Sequence, residues 1–226
     1  MNKNFTKLAF TPSVKAIQEK MGSRQSYRRM EESGDRFILT AQEKIFIETR
    51  VDFFISTVGE NGWPYMQHRG GPKGFLKVLS DDTLGFADFK GNRQYISSGN
   101  IADNGKAMLF LIDYPSQQRV KIWAEAQYIP REQAGEYLDQ LVPEGMENQV
   151  VSVFILKIQA YDWNCPKYIT KRYTADEFMD FVLPNNPDIV EKIEQKLSGL
   201  KFESDENLEE STCEWYDCKD RKLLGF

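Results

Sequence analysis

The chain has 226 residues, 41% of them hydrophobic and 13% aromatic, which is enough apolar material for one substantial core. A net charge of −5 without a long Lys/Arg tract gives no positive field for a polyanion, so nucleic acid is not an expected partner. The longest apolar runs, MLFLI and VFIL, are too short to cross a bilayer, and the first residues hold no apolar run of signal-peptide length, so a cytoplasmic location off the membrane is expected.

Residues 10–32 read as one or two short helices with a break at Gly22-Ser23, forming an N-terminal arm over residues 1–34. Thr40-Ala-Gln-Glu43 has the form of a capping box, and EKIFIETR continues it as a short amphipathic helix. DFFISTVG and WPYMQHRG flank Asn61-Gly62, a pair that tolerates the positive φ of a tight turn, and so predict a β-hairpin. GFLKVLSDD, TLGFADF, KAMLFLID and RVKIWAEAQYI predict further strands separated by Gly, Asp and Asn. Ala134, Tyr137, Leu138 and Leu141 stand at helical spacing, and VVSVFILKIQAYDW then reads as a buried strand. TADEFMDFV and NNPDIVEKIEQKLSGLK predict two helices, with Phe178, Phe181 and Val182 giving the first an apolar face. The last segment, 202–226, is acidic. Many short antiparallel strands in succession imply a mainly β (β+α) fold with a barrel over 35–170 and a helical extension over 171–226 packed on it.

Three cysteines, Cys165, Cys213 and Cys218, are an odd count, so free thiols are expected rather than a disulfide framework. Cys165 on its own reads as an apolar filler of the interior. With His68 as the one histidine, zinc lacks ligands, and no G-x-S-x-G, H-E-x-x-H or Walker pattern is present. No metal site is expected and no catalytic residue is assigned. The polar, glycine-rich turns carry what chemistry there is. Gln67-His68-Arg69-Gly70-Gly71 offers a guanidinium for paired charge-assisted bonds beside glycines that permit close approach. Asn92 and Arg93, after Gly91, precede the predicted helix QYISSGNIAD, whose first amides attract anions. Brought together, the two turns would cradle a phosphate. The plainer alternative pairs Arg69 and Arg93 with Asp81, Asp82 or Asp88 at the surface and makes His68 a hydrogen-bonded strand residue.

The order of helix, β-hairpin, Arg-Gly-Gly at the end of the second strand, the GFADFKGNRQ strand-to-helix turn and the basic RVKIWAEA strand resembles the pyridoxamine 5′-phosphate oxidase-related family of FMN-binding split barrels. The likeness runs from about Glu43 to Ile129 and resumes over AYDWNCPKYI, residues 160–169. It implies a six-stranded antiparallel split β-barrel with flanking helices, a homodimer, and FMN in a groove at the subunit interface. By this resemblance Gln67, His68, Arg69 and Gly70 run along the flavin, with Arg69 reaching the phosphate. Ala87 and Asp88 pass beside the ring and ribityl chain, and Asn92, Arg93 and Gln94 close around the phosphate. Arg119 offers the cofactor a polar side chain, while Asn164, Cys165, Lys167 and Tyr168 approach from the partner subunit. The late arginine-histidine motif with which pyridoxamine-phosphate oxidases grip the substrate phosphate is missing, for no histidine follows His68 and N-C-P-K-Y-I stands in its place. The resemblance therefore implies an FMN-dependent oxidoreductase for some other small molecule, with NAD(P)H or oxygen as the second redox partner. A flavin carrier or redox sensor without turnover, and a split barrel holding another ligand such as haem, stay open beside it.

Overall fold

The computed structural model describes residues 4–32 and 34–198, so Cys213, Cys218 and the acidic segment 202–226 lie outside the described residues. The chain divides into two compact units, the first ending at Arg172 and the second beginning at Tyr173.

The first unit opens with the helical arm. Asn4 caps α1 (Phe5–Ala9) by accepting from the Thr6 amide at 3.1 Å, and Phe5 stacks on Trp123 with ring centroids 5.8 Å apart. Five residues are too few for helical periodicity to register, so this helix is held by its cap and by tertiary contact rather than by a pattern. Thr11 and Pro12 start α2 (Pro12–Lys20), and Gly22 at φ +73° separates it from α3 (Arg24–Glu32), where the sequence places the break. Next, α4 (Ala41–Glu48) begins where expected, with the Thr40 amide donating to the Glu43 carboxylate at 2.9 Å. The other carboxylate oxygen of Glu43 accepts from the Trp163 indole at 2.7 Å. Burial pushes this carboxyl up, but the bonds from Thr40 and Trp163 outweigh it and hold it below the usual value.

Seven antiparallel strands follow: β1 (Asp52–Val58), β2 (Pro64–Gly70), β3 (Lys77–Ser80), β4 (Thr83–Phe89), β5 (Lys106–Asp113), β6 (Gln118–Pro130) and β7 (Val150–Trp163). They form one sheet in the order β2-β1-β5-β6-β7-β4-β3, whose two edges do not pair, so the barrel is split. All seven stretches read from the sequence are strands, and the six implied by resemblance become seven in this chain. Phe53, Ile55, Leu109, Leu111, Val120, Ile122, Phe86, Phe154 and Leu156 fill the inner face at 0–1% exposure, alternating with outward residues as a period of two requires.

Two helices complete the barrel. α5 (Ile96–Asn104) connects β4 to β5 and packs on β1, β2, β5 and β6. α6 (Glu136–Leu141) lies on β4 and β7, and a Cβ at Gly85 would come within 2.8 Å of a Leu141 methyl and 2.9 Å of a Leu79 methyl, so a side chain there would have to displace both leucines. In the second unit α7 (Ala175–Glu177) is started by a capping box between Thr174 and Glu177, runs into a π-helical turn over Phe178–Val182, and is followed by α8 (Pro187–Ser198). Among the described residues no helix is long and apolar enough to cross a membrane.

Candidate functional site

β2 is an edge strand, and its alternation sorts the polar residues of the Gln67-His68-Arg69 run onto two faces. Arg69 stands opposite Phe53 and Gln67 opposite Ile55, both core residues, so these two turn inward. His68 stands opposite Phe54 and turns outward. There its Nε2 lies 3.2 Å from Asp52, with more than half of the side chain exposed. Gly70, paired with Asp52, ends the strand.

The inward row reaches two other elements. Gln67 Oε1 accepts from the Ser97 hydroxyl of α5 at 3.0 Å, which joins β2 to the first turn of that helix. The Arg69 guanidinium pairs with Asp88 of β4, and the second oxygen of Asp88 accepts from Ser152 of β7 at 3.2 Å. Arg69 lies over the rings of Phe86 and Phe154, at 5.9 and 5.6 Å to the centroids. Its Nε is buried with no hydrogen-bond partner. Asp88 is 5% exposed, and this burial raises its carboxyl above the ordinary value against the opposing pull of Arg69 and Ser152. Arg69 thus has one of the partners that the plainer sequence alternative offered, but inside the barrel rather than at its surface. Ala87 is buried beside Asp88.

The turn between β4 and α5 is built differently. The Gln94 amide donates to Asn92 Oδ1 at 3.2 Å, and the Asn92 amide nitrogen reaches Gln94 Oε1 at 3.3 Å. Arg93 and Tyr95 both adopt left-handed backbone, with φ of 59° and 52°. Such conformations cost a side-chain-bearing residue energy and persist where the surroundings impose them. Tyr95 is the N-cap of α5 and supplies no side-chain cap, and the first turn contains no acidic residue. Gly99 makes the first intrahelical bond, to the Tyr95 carbonyl at 2.9 Å, so the amides of Ile96, Ser97 and Ser98 precede the ladder. Asn92, Arg93 and Gln94 are exposed around this positive helix end.

The late residues form a third group. Arg119 alternates with the fully buried Val120 and therefore lies on the face of the sheet opposite to Gln67 and Arg69. It donates to the Cys165 carbonyl at 3.3 Å, and its own carbonyl accepts from the Asn164 amide at 3.1 Å. The Lys167 amide reaches Cys165 Sγ at 3.4 Å, and the Lys167 ammonium sits 5.1 Å from the Tyr168 ring centroid. Tyr168 is 90% exposed on left-handed backbone. Cys165 is exposed, not an interior filler, because it stands in the loop that leaves the end of β7. The structure therefore brings Gln67 to the start of α5 and Arg69 to Asp88, and gathers Arg119 with residues 164–168 elsewhere on the same chain. Sequence reasoning missed Ser97 and Ser152, the hydroxyls that fix Gln67 and Asp88. Only the Ser-Ser-Gly at the helix start hinted at the first.

These elements carry a family signature. The model of the family described as pyridoxamine 5′-phosphate oxidase matches residues 39–163, more than half the chain, from just before α4 to the end of β7. The chain belongs to the pyridoxamine 5′-phosphate oxidase family. No curated protein matches it. Among solved structures, HupZ of Group A Streptococcus is 16% identical over 60% of this chain and 100% of its own, with a TM-score of 0.45. An FMN-binding protein from Syntrophomonas wolfei is 15% identical over 65% of this chain and 97% of its own, with a TM-score of 0.43. A protein from Clostridium acetobutylicum related to general stress protein 26, of the pyridoxinephosphate oxidase family, is 11% identical over 60% of this chain and 94% of its own, with a TM-score of 0.41.

Proposed function

We propose that this member of the pyridoxamine 5′-phosphate oxidase family is an FMN-binding flavoprotein, active as a homodimer in redox chemistry on a small molecule. The observation that carries the reading is the Gln67–Ser97 bond, which sets the inward polar row of β2 against the uncapped start of α5. Arg93 and the free amides there suit a dianionic phosphate, by charge and by directed hydrogen bonds. The buried, unpartnered Nε of Arg69 adds a donor close to the same strand. When bound, the flavin would supply the electron-transfer chemistry, and the protein's part is to hold, orient and shield it. Asn92, Arg93 and Gln94 would bind the phosphate, Gln67 and Arg69 would line the approach, and Asp88 would keep Arg69 oriented.

The homodimer is supported by where the other candidates lie. Arg119 lies on the opposite face of the sheet, and Asn164 and Cys165, in the loop with Lys167 and Tyr168 after β7, bond to it, so a ligand touching both groups would take them from two chains. That face also carries an apolar groove of about 310 Å³ lined by Phe54, Ser56, Met66, Met108 and Phe110. Two copies joined there would cover it.

The test is the purified protein itself. A flavin absorption spectrum, with FMN identified by mass spectrometry in the supernatant after denaturation, is the expected result. A colourless protein that takes up no added FMN would reject the reading. Bleaching of the bound flavin by NADH or NADPH would add turnover to binding.

A further inference from the structure

A cleft of about 650 Å³ lies between the β1–β2 turn and α5, and none of the residues assigned to the flavin lines it. Three bonds lay α5 along the hairpin. The Ser97 hydroxyl donates to Gln67 at 3.0 Å, Asn100 Nδ2 to Thr57 Oγ1 at 2.9 Å and Asn104 Nδ2 to the Val58 carbonyl at 2.8 Å. The start of the helix therefore lies beside the middle of β2, and its end lies toward the turn. That end is the negative pole, it carries Asp103, and its last turn has no basic residue.

The lining of the cleft has the same sign. Glu60 is its one charged residue, and no lysine or arginine lines it. Two oxygens converge over the bare Gly59, where a Cβ would lie 3.0 Å from Asn61 Oδ1 and 3.5 Å from Asn100 Oδ1. Asn100 gives its amide nitrogen to Thr57, which leaves its oxygen as an acceptor. Asn61 Oδ1 also accepts from the Trp63 amide at 3.1 Å, and so fixes the turn that carries the indole. Trp63, 75% exposed, and Tyr65 add aromatic surface, and Pro64 and Ile96 add apolar surface. An anion would find donors in the Asn61 amide nitrogen and the Tyr65 hydroxyl, but it would meet the Glu60 carboxylate and the negative helix end. Both of these attract a cation.

We propose that this cleft binds an organic cation, an alkylated ammonium group whose charge rests on the Trp63 ring beside Glu60. Tryptophan is the aromatic side chain that holds a cation best over its face. Alkyl groups on the nitrogen would pack on Ile96 and Pro64. They also replace N–H donors, so less hydrogen bonding with water is lost when the group enters the cleft. The proposal does not depend on the flavin reading and gives the barrel a second ligand.

Choline and its uncharged isostere, the alcohol with carbon in place of the nitrogen, are titrated into the full chain by ligand-observed NMR. The expected result is saturable binding of choline, with the isostere at least about tenfold weaker. Trp63→Ala should weaken choline about tenfold, and Trp63→Phe should recover part of that loss. Glu60→Gln should weaken choline severalfold and leave the isostere within about twofold. Both positions are exposed, and circular dichroism verifies the fold of each variant. If Trp63→Ala loses the fold, the two ligands on wild type and on Glu60→Gln decide alone. Equal affinity of wild type for choline and its isostere overturns the proposal, since the cleft would then bind by apolar contact without regard to charge. Absence of saturable choline binding also overturns it, as does a choline affinity unmoved by Trp63→Ala or by Glu60→Gln, which would put the cation elsewhere.

Discussion

Arg69 and Asp88 show how a charged residue read from sequence acquires a meaning that sequence cannot give. An arginine before two glycines is visible as a candidate cation, but its partner comes from β4, and only closure of the barrel sets the two side chains together inside the core. Removing one member of such a pair strands the other charge, whereas removing both leaves an apolar space. Asp88→Leu or Arg69→Met alone should therefore destabilise by about 3 kcal/mol, and the double variant by much less, in a urea double-mutant cycle. The pH dependence has a definite sign. Asp88 has a raised folded value, so the folded state holds its proton more tightly than the unfolded state. Stability then falls as pH rises through the window between the ordinary carboxyl value and the raised one. Asp88→Asn should abolish that slope, and urea midpoints across acidic pH would reveal it. Glu43 behaves oppositely. Its folded value is lowered, so its contribution is present above the ordinary value and is lost as pH falls through the folded one. Glu43→Ala should cost about 2 kcal/mol through the loss of the Thr40 and Trp163 bonds.

Strands and helices were legible wherever period and punctuation agreed. Short apolar runs bounded by Gly, Asp and Asn located all seven strands, and the Thr40–Glu43 spacing located the start of α4, because these signals are local. What stayed hidden was which elements meet. Gly85 illustrates this, since within TLGFADF it resembles any strand glycine. In the fold it marks where α6 crosses β4, with Leu141 against the bare backbone. Gly85→Val should force the helix away and destabilise the protein by about 1–3 kcal/mol, read as a lowered thermal midpoint. The start of α5 is a similar case. The phosphate role proposed for it was read from Gly-Asn-Arg before a helix, while the left-handed Arg93 and Tyr95 and the Ser97 contact to Gln67 needed coordinates.

For the molecule as a unit, the order of motifs along the chain revealed the family, since it survives where single motifs are ambiguous. The two faces of the sheet were not legible. His68 adjoins Gln67 and Arg69 in sequence yet points the other way, and Arg119 lies on its side of the sheet rather than theirs. This division is why the proposed site needs two chains. Met66 is 66% exposed within the outer apolar groove, so Met66→Asp should leave the monomer folded and shift the sedimenting mass from dimer to monomer. The phosphate locus at α5 can be tested without knowledge of the substrate by comparing FMN with riboflavin, which lacks the phosphate. Wild type should bind FMN at least about tenfold more tightly than riboflavin, and Arg93→Ala should remove most of that advantage. Equal affinity of wild type for both flavins would mean that no phosphate is held by Arg93 and the start of α5.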